Sequence, residues 1–322
     1  MVSTPANNKP VQRLALVGAG RWGRNYIRTM AELPQVRLTR VASRNADNAA
    51  LLPPGCVLDA DWRVTVAAAD VDAVIVATPP QTHAVIAAAA LAAGKAVLVE
   101  KPLTLDPAEA RALAEQAHEA GLLAWVEHTP LFNPAFRALR QALPRVGRVG
   151  AIRSQAGNHG PFRADVPVLW DWGAHDLAMI LALTGGNMPM AIAARHTRRE
   201  WVEGGQGAVV EVELTFADGL HASAVFGNLC ERSRKLAVYG DAGTLLFDDL
   251  AADKVTFHPP QSPADWPTFP VEVLDWDPTP PLTRAICDFV AALDGSGDDG
   301  NLDFGVVVVT LLDLCAKAAD PS

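Results

Sequence analysis

The chain has 322 residues, of which 50% are apolar and 20% charged. That profile belongs to a folded globular protein long enough for two domains, and it excludes a mini-protein or a disordered chain. Thirty-six Asp and Glu against 27 Lys and Arg give a formal net charge of -9, so the bulk field repels nucleic acid and anionic membranes, and no nucleic-acid or membrane partner is expected.

The four cysteines, Cys56, Cys230, Cys287 and Cys315, stand far apart without CxxC spacing or a neighbouring His cluster. They read as reduced thiols, and no metal site is expected. The opening MVSTPANNKPVQR has no apolar core, and the longest apolar run, Ala84 to Ala93, is half of a membrane span. A cytoplasmic location is the expectation.

In chain order, Arg13–Val17, Val36–Ala42, Val71–Ala77, Ala96–Val99 and Leu122–Val126 are short β-branched runs separated by Ala-rich stretches. Strands alternating with helices imply βαβ units and a parallel sheet buried on both faces. One intervening helix is clearly signed, with Asp106 as N-cap, Pro107 at its first position, Glu109 in a capping-box pattern and Gly121 closing it. After His128 the period changes. Val210, Val212, Leu214 and Phe216 alternate with polar residues, Ala217–Asp218–Gly219 turns the chain into His221–Gly227, and short strands follow near Leu236–Tyr239, Thr244–Phe247, Val255–His258 and Val271–Leu274. A Pro-rich stretch, Pro259 to Pro281, precedes two late helices near Thr283–Leu293 and Phe304–Ala319. The fold class is therefore α/β. A doubly wound parallel Rossmann sheet (1–128) is followed by an α+β domain with an open, mostly antiparallel sheet (129–322).

The first strand runs into Gly18-Ala19-Gly20-Arg21-Trp22-Gly23, a GxGxxG at a strand-to-helix turn. Gly18 permits the turn, Gly20 lets the backbone approach a pyrophosphate and Gly23 lets the helix pack on the strand. At the end of the second strand, where NAD enzymes place a carboxylate on the ribose, the sequence has Ser43 and Arg44 instead. A hydroxyl and a guanidinium suit a 2'-phosphate, so NADP(H) is preferred, with NAD(H) still possible. Thr78, Pro79 and His83 follow the next strand, and Glu100 and Lys101 the one after; both segments should border the cofactor. A lysine there can act as acid or base, or polarise a carbonyl.

GAGRWG, ATPPQTH, EKP and the later WDWGAHD together resemble the Gfo/Idh/MocA oxidoreductases, over nearly the whole chain. The resemblance implies a Rossmann domain joined to an open-sheet domain that often forms a homodimer or homotetramer. It also implies hydride transfer at one carbinol of a sugar, polyol or nucleotide sugar. It makes Lys101 the catalytic-motif lysine, and Asp171 and His175 the DxxxH pair. In a helix, positions i and i+4 share a face, so both can address one hydroxyl, with His175 taking its proton. Trp170 and Trp172 flank the pair, and His128 opens the crossover into the second domain. Asn158 and Arg163 are candidate substrate contacts, the arginine suiting a phosphate or carboxylate. Leu131-Phe132-Asn133-Pro134 departs from the family's Arg-containing crossover segment. The segment from Asn158 to Trp170 looks like a subgroup of bacterial nucleotide-sugar and polysaccharide enzymes. A non-catalytic NADP(H)-sensing protein would share the glycine loop but leaves EKP and DxxxH unexplained. A different Rossmann enzyme, such as a short two-domain amino-acid-pathway reductase, leaves the second-domain DxxxH unexplained.

The charge is unevenly spread. Residues 1–60 carry eight bases (Lys9, Arg13, Arg21, Arg24, Arg28, Arg37, Arg40, Arg44) against Glu32, Asp47 and Asp59. This basic stretch is expected to draw an anionic cofactor to one end of an acidic chain.

Overall fold

A computed structural model describes residues 11–260, 270–297 and 300–320. The chain groups into two compact units. The first comprises residues through Thr104, Ala108–Glu127 and Ala285–Asp303, and the second comprises Leu105–Pro107, His128–Arg284 and the residues from Phe304.

The first unit contains β1 (Gln12–Val17), α1 (Gly23–Ala31), β2 (Val36–Ala42), β3 (Val57–Asp59), α2 (Trp62–Ala67), β4 (Ala73–Val76), α3 (His83–Ala92), β5 (Ala96–Glu100), α4 (Pro107–Ala120) and β6 (Ala124–Glu127). The sheet order is β3-β2-β1-β4-β5-β6, and every pairing is parallel. This is the doubly wound arrangement expected, and β4, β5 and β6 are buried along their whole length, as strands covered by helices on both faces must be. β3, only three residues long, gave no run that the sequence could signal. α4 ends as its sequence requires. Gly121 takes φ +60°, the Gly121 N–H reaches His118 O at 3.1 Å and the Leu122 N–H reaches Ala117 O at 3.0 Å, the double bond of a Schellman turn.

The late segment Ala285–Asp303 belongs to this first unit although it follows the second in sequence. Asn301 explains part of that. Its side chain accepts from Val126 N at 2.7 Å and donates to Val126 O at 3.1 Å, pairing with the edge strand β6, while Phe289 meets Trp125 edge-on at 5.9 Å.

The second unit contains α5 (Thr129–Phe132), α6 (Pro134–Ala142), β7 (Val149–His159), α7 (Val168–Leu183), β8 (Ala191–Val202), β9 (Gly205–Thr215), β10 (His221–Gly227), β11 (Leu229–Gly240), β12 (Gly243–Asp248), β13 (Val255–His258) and β14 (Glu272–Val273). α8 (Pro281–Leu293) and α9 (Leu302–Ala319) complete the chain. Eight strands form one open sheet in the order β14-β13-β12-β11-β7-β10-β9-β8. All its pairings are antiparallel except β7 with β10. Of the Pro-rich stretch, residues 261–269 lie outside the described residues, as does Lys9. Asn133 opens α6 as its N-cap, accepting from Ala135 N at 3.0 Å, and also donates to Asp249 at 3.0 Å. His128, 1% exposed, packs edge-on against Phe304 at 6.1 Å.

The sheet has two unlike faces. Ala222, Ala224, Phe226, Ile152, Leu236 and Leu245 are buried, and Gly173 lets α7 approach this side, since a Cβ there would lie 2.8 Å from Phe226 Cζ. The residues between them in register, Glu211, Val225, Gln155, Lys235 and Asp248, are exposed or half-exposed and form the other face.

Candidate active site

In the first unit the glycine-rich loop has the geometry its spacing implies. Gly18 has φ +103° and a Cβ there would lie 2.5 Å from Ala77 O, so the turn needs glycine twice over. At Gly23 a Cβ would lie 1.9 Å from Gly18 O. Around Gly20 no atom comes within 4 Å of that position. The α1 N-terminus has no side-chain cap and no acid in its first turn. Arg24 N and Asn25 N donate to Gly20 O at 3.1 Å and Trp22 O at 2.8 Å, which closes the loop onto α1. An uncapped, acid-free helix N-terminus beside the empty space at Gly20, at the carboxyl end of a central strand, is what a dinucleotide pyrophosphate requires, so these residues fit the group.

Exposed Trp22 donates its indole N–H to Glu100, which also accepts from Tyr26 OH at 2.7 Å and from Lys101 N at 3.3 Å. Glu100 is 7% exposed, and burial pushes its carboxyl up to about 7 against the hydrogen bonds from Tyr26 and Trp22 and the Lys101 charge, which pull it down. Burial and the neighbouring Glu100 hold the Tyr26 phenol well above its ordinary range. Tyr26 escaped the sequence reading. Its only signal was its place one turn after Trp22 on α1.

His83 is fully buried, with Nδ1 2.8 Å from Pro102 O and Nε2 2.9 Å from Thr78 O. The ring sits between the backbones that follow β4 and β5; burial lowers its proton affinity, and the neutral ring has one N–H, which donates to one of the two carbonyls. Thr78 Oγ1 accepts from Thr82 at 2.7 Å, and Pro79 is exposed beside it.

At the end of β2, Ser43 Oγ accepts from Asn48 Nδ2 at 2.8 Å and from Asn45 N at 3.2 Å, and Asn48 Oδ1 accepts from Arg24 at 3.2 Å. Buried Asn48, which sequence reasoning passed over, thus joins the loop after β2 to α1. Arg44 and Arg21 are exposed. The basic stretch is only partly available to a ligand. Arg13 is paired with Asp72, and Arg40 with Asp59 at 3.2 Å and Asp70 at 2.6 Å. The exposed bases of this stretch outside those pairs are Arg21, Arg24, Arg28, Arg37 and Arg44.

In the second unit Asp171 and His175 share a face of α7. Between Val168 and Leu181 every other residue is buried, Trp170 and Trp172 included, and these two alone are partly open. A helix buried all round needs no polar stripe for stability. Arg163 Nη1 donates to Asp171 Oδ1 at 3.2 Å. Trp172 lies under the Arg234 guanidinium at 4.6 Å rather than beside the open stripe. Asn158 is half-buried on β7.

Asp176, next to His175 but on the buried side of α7, accepts from Ser154 Oγ. Burial pushes its carboxyl from 3.8 to about 7, while Ser154, the Arg234 charge and the backbone pull it down. A carboxyl raised in the fold favours folding fully below its unfolded value, and loses that contribution as pH climbs to about 7. Asp176→Asn has no such proton to lose. Across pH 4 to 7 the variant should gain stability relative to the wild type, on the order of 4 kcal/mol at most. Denaturant melts at a series of pH values read this, and parallel curves would contradict it.

The comparisons agree with this architecture. A family model described as an oxidoreductase family with an NAD-binding Rossmann fold matches residues 12–128. A dTDP-3,4-didehydro-2,6-dideoxy-alpha-D-glucose 3-reductase from Actinomadura kijaniata is 30% identical over 80% of both chains. UDP-N-acetylglucosamine 3-dehydrogenase from Acidithiobacillus ferrooxidans is 37% identical over 177 residues, and there the match spans about half of either chain, 54% of each. A crystal structure from Magnetospirillum magnetotacticum MS-1, presented as that of an oxidoreductase, superposes with a TM-score of 0.88 at 50% identity, covering 95% of this chain and 100% of that one. With one relative matched over four-fifths of both chains and the Rossmann model over the first unit, the chain belongs to the Gfo/Idh/MocA oxidoreductases.

Proposed function

We propose that the protein is an NADP(H)-preferring oxidoreductase acting on a secondary alcohol or ketone of a sugar, polyol or nucleotide sugar. The observation that carries the reading is the open stripe of α7, where a proton-transfer group and a carboxylate are kept accessible on a stretch of helix, Val168 to Leu181, that is otherwise buried. His175 takes or returns the hydroxyl proton, Asp171 orients that hydroxyl, and Lys101 polarises the oxygen. When bound, the nicotinamide supplies the chemistry of accepting or donating a hydride.

Gly18, Gly20 and Gly23, with Arg21 and Trp22, would hold the pyrophosphate. Ser43 and Arg44 would hold the 2'-phosphate, and Thr78, Pro79, Glu100 and Lys101 would border the nicotinamide end, with His83 supporting them. Asn158 and Trp170 are read as lining the substrate region. The exposed sheet face, with Glu211, Val225 and Gln155, is read as the surface of a homodimer or homotetramer. A cytoplasmic location fits four cysteines that form no disulfide. Among the described residues no helix is long and apolar enough to cross a membrane.

A screen of sugars, polyols and UDP- or dTDP-sugars, with each cofactor and nicotinamide absorbance as readout, tests the function. Turnover with at least one class is expected, and none with any would overturn the reading. In the same format Arg44→Ala should weaken NADPH binding about 10- to 100-fold, the worth of a charge-assisted bond, and leave NADH nearly unchanged. Equal losses for both cofactors would return the preference to NAD(H).

A further inference from the structure

The Arg163 guanidinium suggests an anion contact by its chemistry, yet the structure already commits it. Nε donates to Asp165 Oδ1 at 2.9 Å and Nη2 to Asp165 Oδ2 at 2.7 Å, a bidentate fork. That fork fixes the plane of the group and leaves Nη1 for Asp171 Oδ1 at 3.2 Å. One cation thus faces two carboxylates, so it has little net positive charge to offer a phosphate.

The backbone of Arg163 is pinned as well. It forms an isolated antiparallel bridge with Gln206, whose N–H reaches Arg163 O at 3.3 Å. The neighbouring Gly205 has φ +152°, and a Cβ on it would lie 2.3 Å from Arg163 C. The residue is therefore tied at its main chain to β9 and at its side chain to α7, with the Arg163 side chain 36% exposed and the Asp171 side chain 19% exposed.

We propose that Arg163 is a positioning residue: aimed by Asp165, it fixes the Asp171 carboxylate toward the substrate hydroxyl and does not itself grip the substrate. The proposal rests on the reading of Asp171 as a substrate-orienting group. Freeing a carboxylate to swing by about 1 Å is enough to cost on the order of 100-fold in rate.

The test uses the full-length protein with the best neutral polyol and the best nucleotide sugar from the screen above. Arg163→Ala is expected to lower kcat about 10- to 100-fold on both substrates while KM changes little. Arg163→Lys should restore part of the loss, since one ammonium can bond Asp171 but cannot fork onto Asp165 as well. Added guanidinium ion at sub-denaturing concentration should restore part of the Arg163→Ala loss. Should Arg163→Ala fold poorly, Asp165→Asn, on the exposed side of the fork, is expected to lower kcat in the same direction by a smaller factor. A rise in KM for the nucleotide sugar alone, with kcat kept, would instead make Arg163 a phosphate contact and overturn the proposal. Asp171→Asn measured alongside separates the two levels. If that variant keeps its turnover, the reading of Asp171 falls; if it collapses while Arg163→Ala does not, only the positioning role falls.

Discussion

His175→Ala is expected to lower turnover by about 100- to 10,000-fold, the usual worth of a placed general acid or base, with dinucleotide affinity nearly unchanged. Lys101→Ala should fall in the same range. The expectation follows from accessibility as much as from residue type. An imidazole kept open on a helix that buries its neighbours can exchange a proton with a bound hydroxyl, whereas the buried carboxyl of Asp176 beside it faces Ser154. Steady-state kinetics paired with a fluorescence titration of the reduced cofactor makes the check. A variant that loses turnover and cofactor affinity in parallel would show a folding lesion instead. Unchanged turnover in both variants would remove these residues from the chemistry.

The second large effect is expected at Gly23. A methyl group there would stand 1.9 Å from Gly18 O, backbone against backbone, so α1 must move off the loop. Such overpacking costs about 1–3 kcal/mol of stability. It also shifts the N–H groups that would meet the pyrophosphate, and a misplacement of about 1 Å predicts cofactor binding weakened on the order of 100-fold. Gly20→Ala meets no protein atom within 4 Å, so its stability should stay near wild type while cofactor affinity drops. Thermal melts and NADPH titrations on both variants separate protein packing from ligand space. Equal melting losses in the two would contradict this division of roles.

Much of the first unit is legible in the sequence because a parallel sheet buried on both faces writes continuous apolar runs, as in Ala73–Val76 and Ala96–Glu100. The second unit is harder to read. β8 has no buried residue along its length, so it leaves no apolar period, and β7 is interrupted by Gly150 and Gly157 and carries polar residues on its open side. The parallel pairing of β7 with β10 joins segments about 70 residues apart, which no local pattern encodes. At the site, GAGRWG, EKP and DxxxH could be read because each is a short local spacing. The partners that tune them could not. Tyr26 meets Glu100 across 74 positions, and Arg163 reaches Asp171 only because the loop before α7 turns back on it. Local charge counting does not reveal pairing either: Arg13 lies against Asp72, and Arg40 against Asp59 and Asp70.

The most direct measurement follows the hydride itself. A substrate from the screen, deuterated at its carbinol carbon, is incubated with the protein and oxidised cofactor, and the nicotinamide is analysed by mass spectrometry and NMR. Deuterium is expected on one face of the reduced nicotinamide ring, with a slowed turnover relative to the protiated substrate. Reduced cofactor free of deuterium, or binding without any reduction, would contradict it.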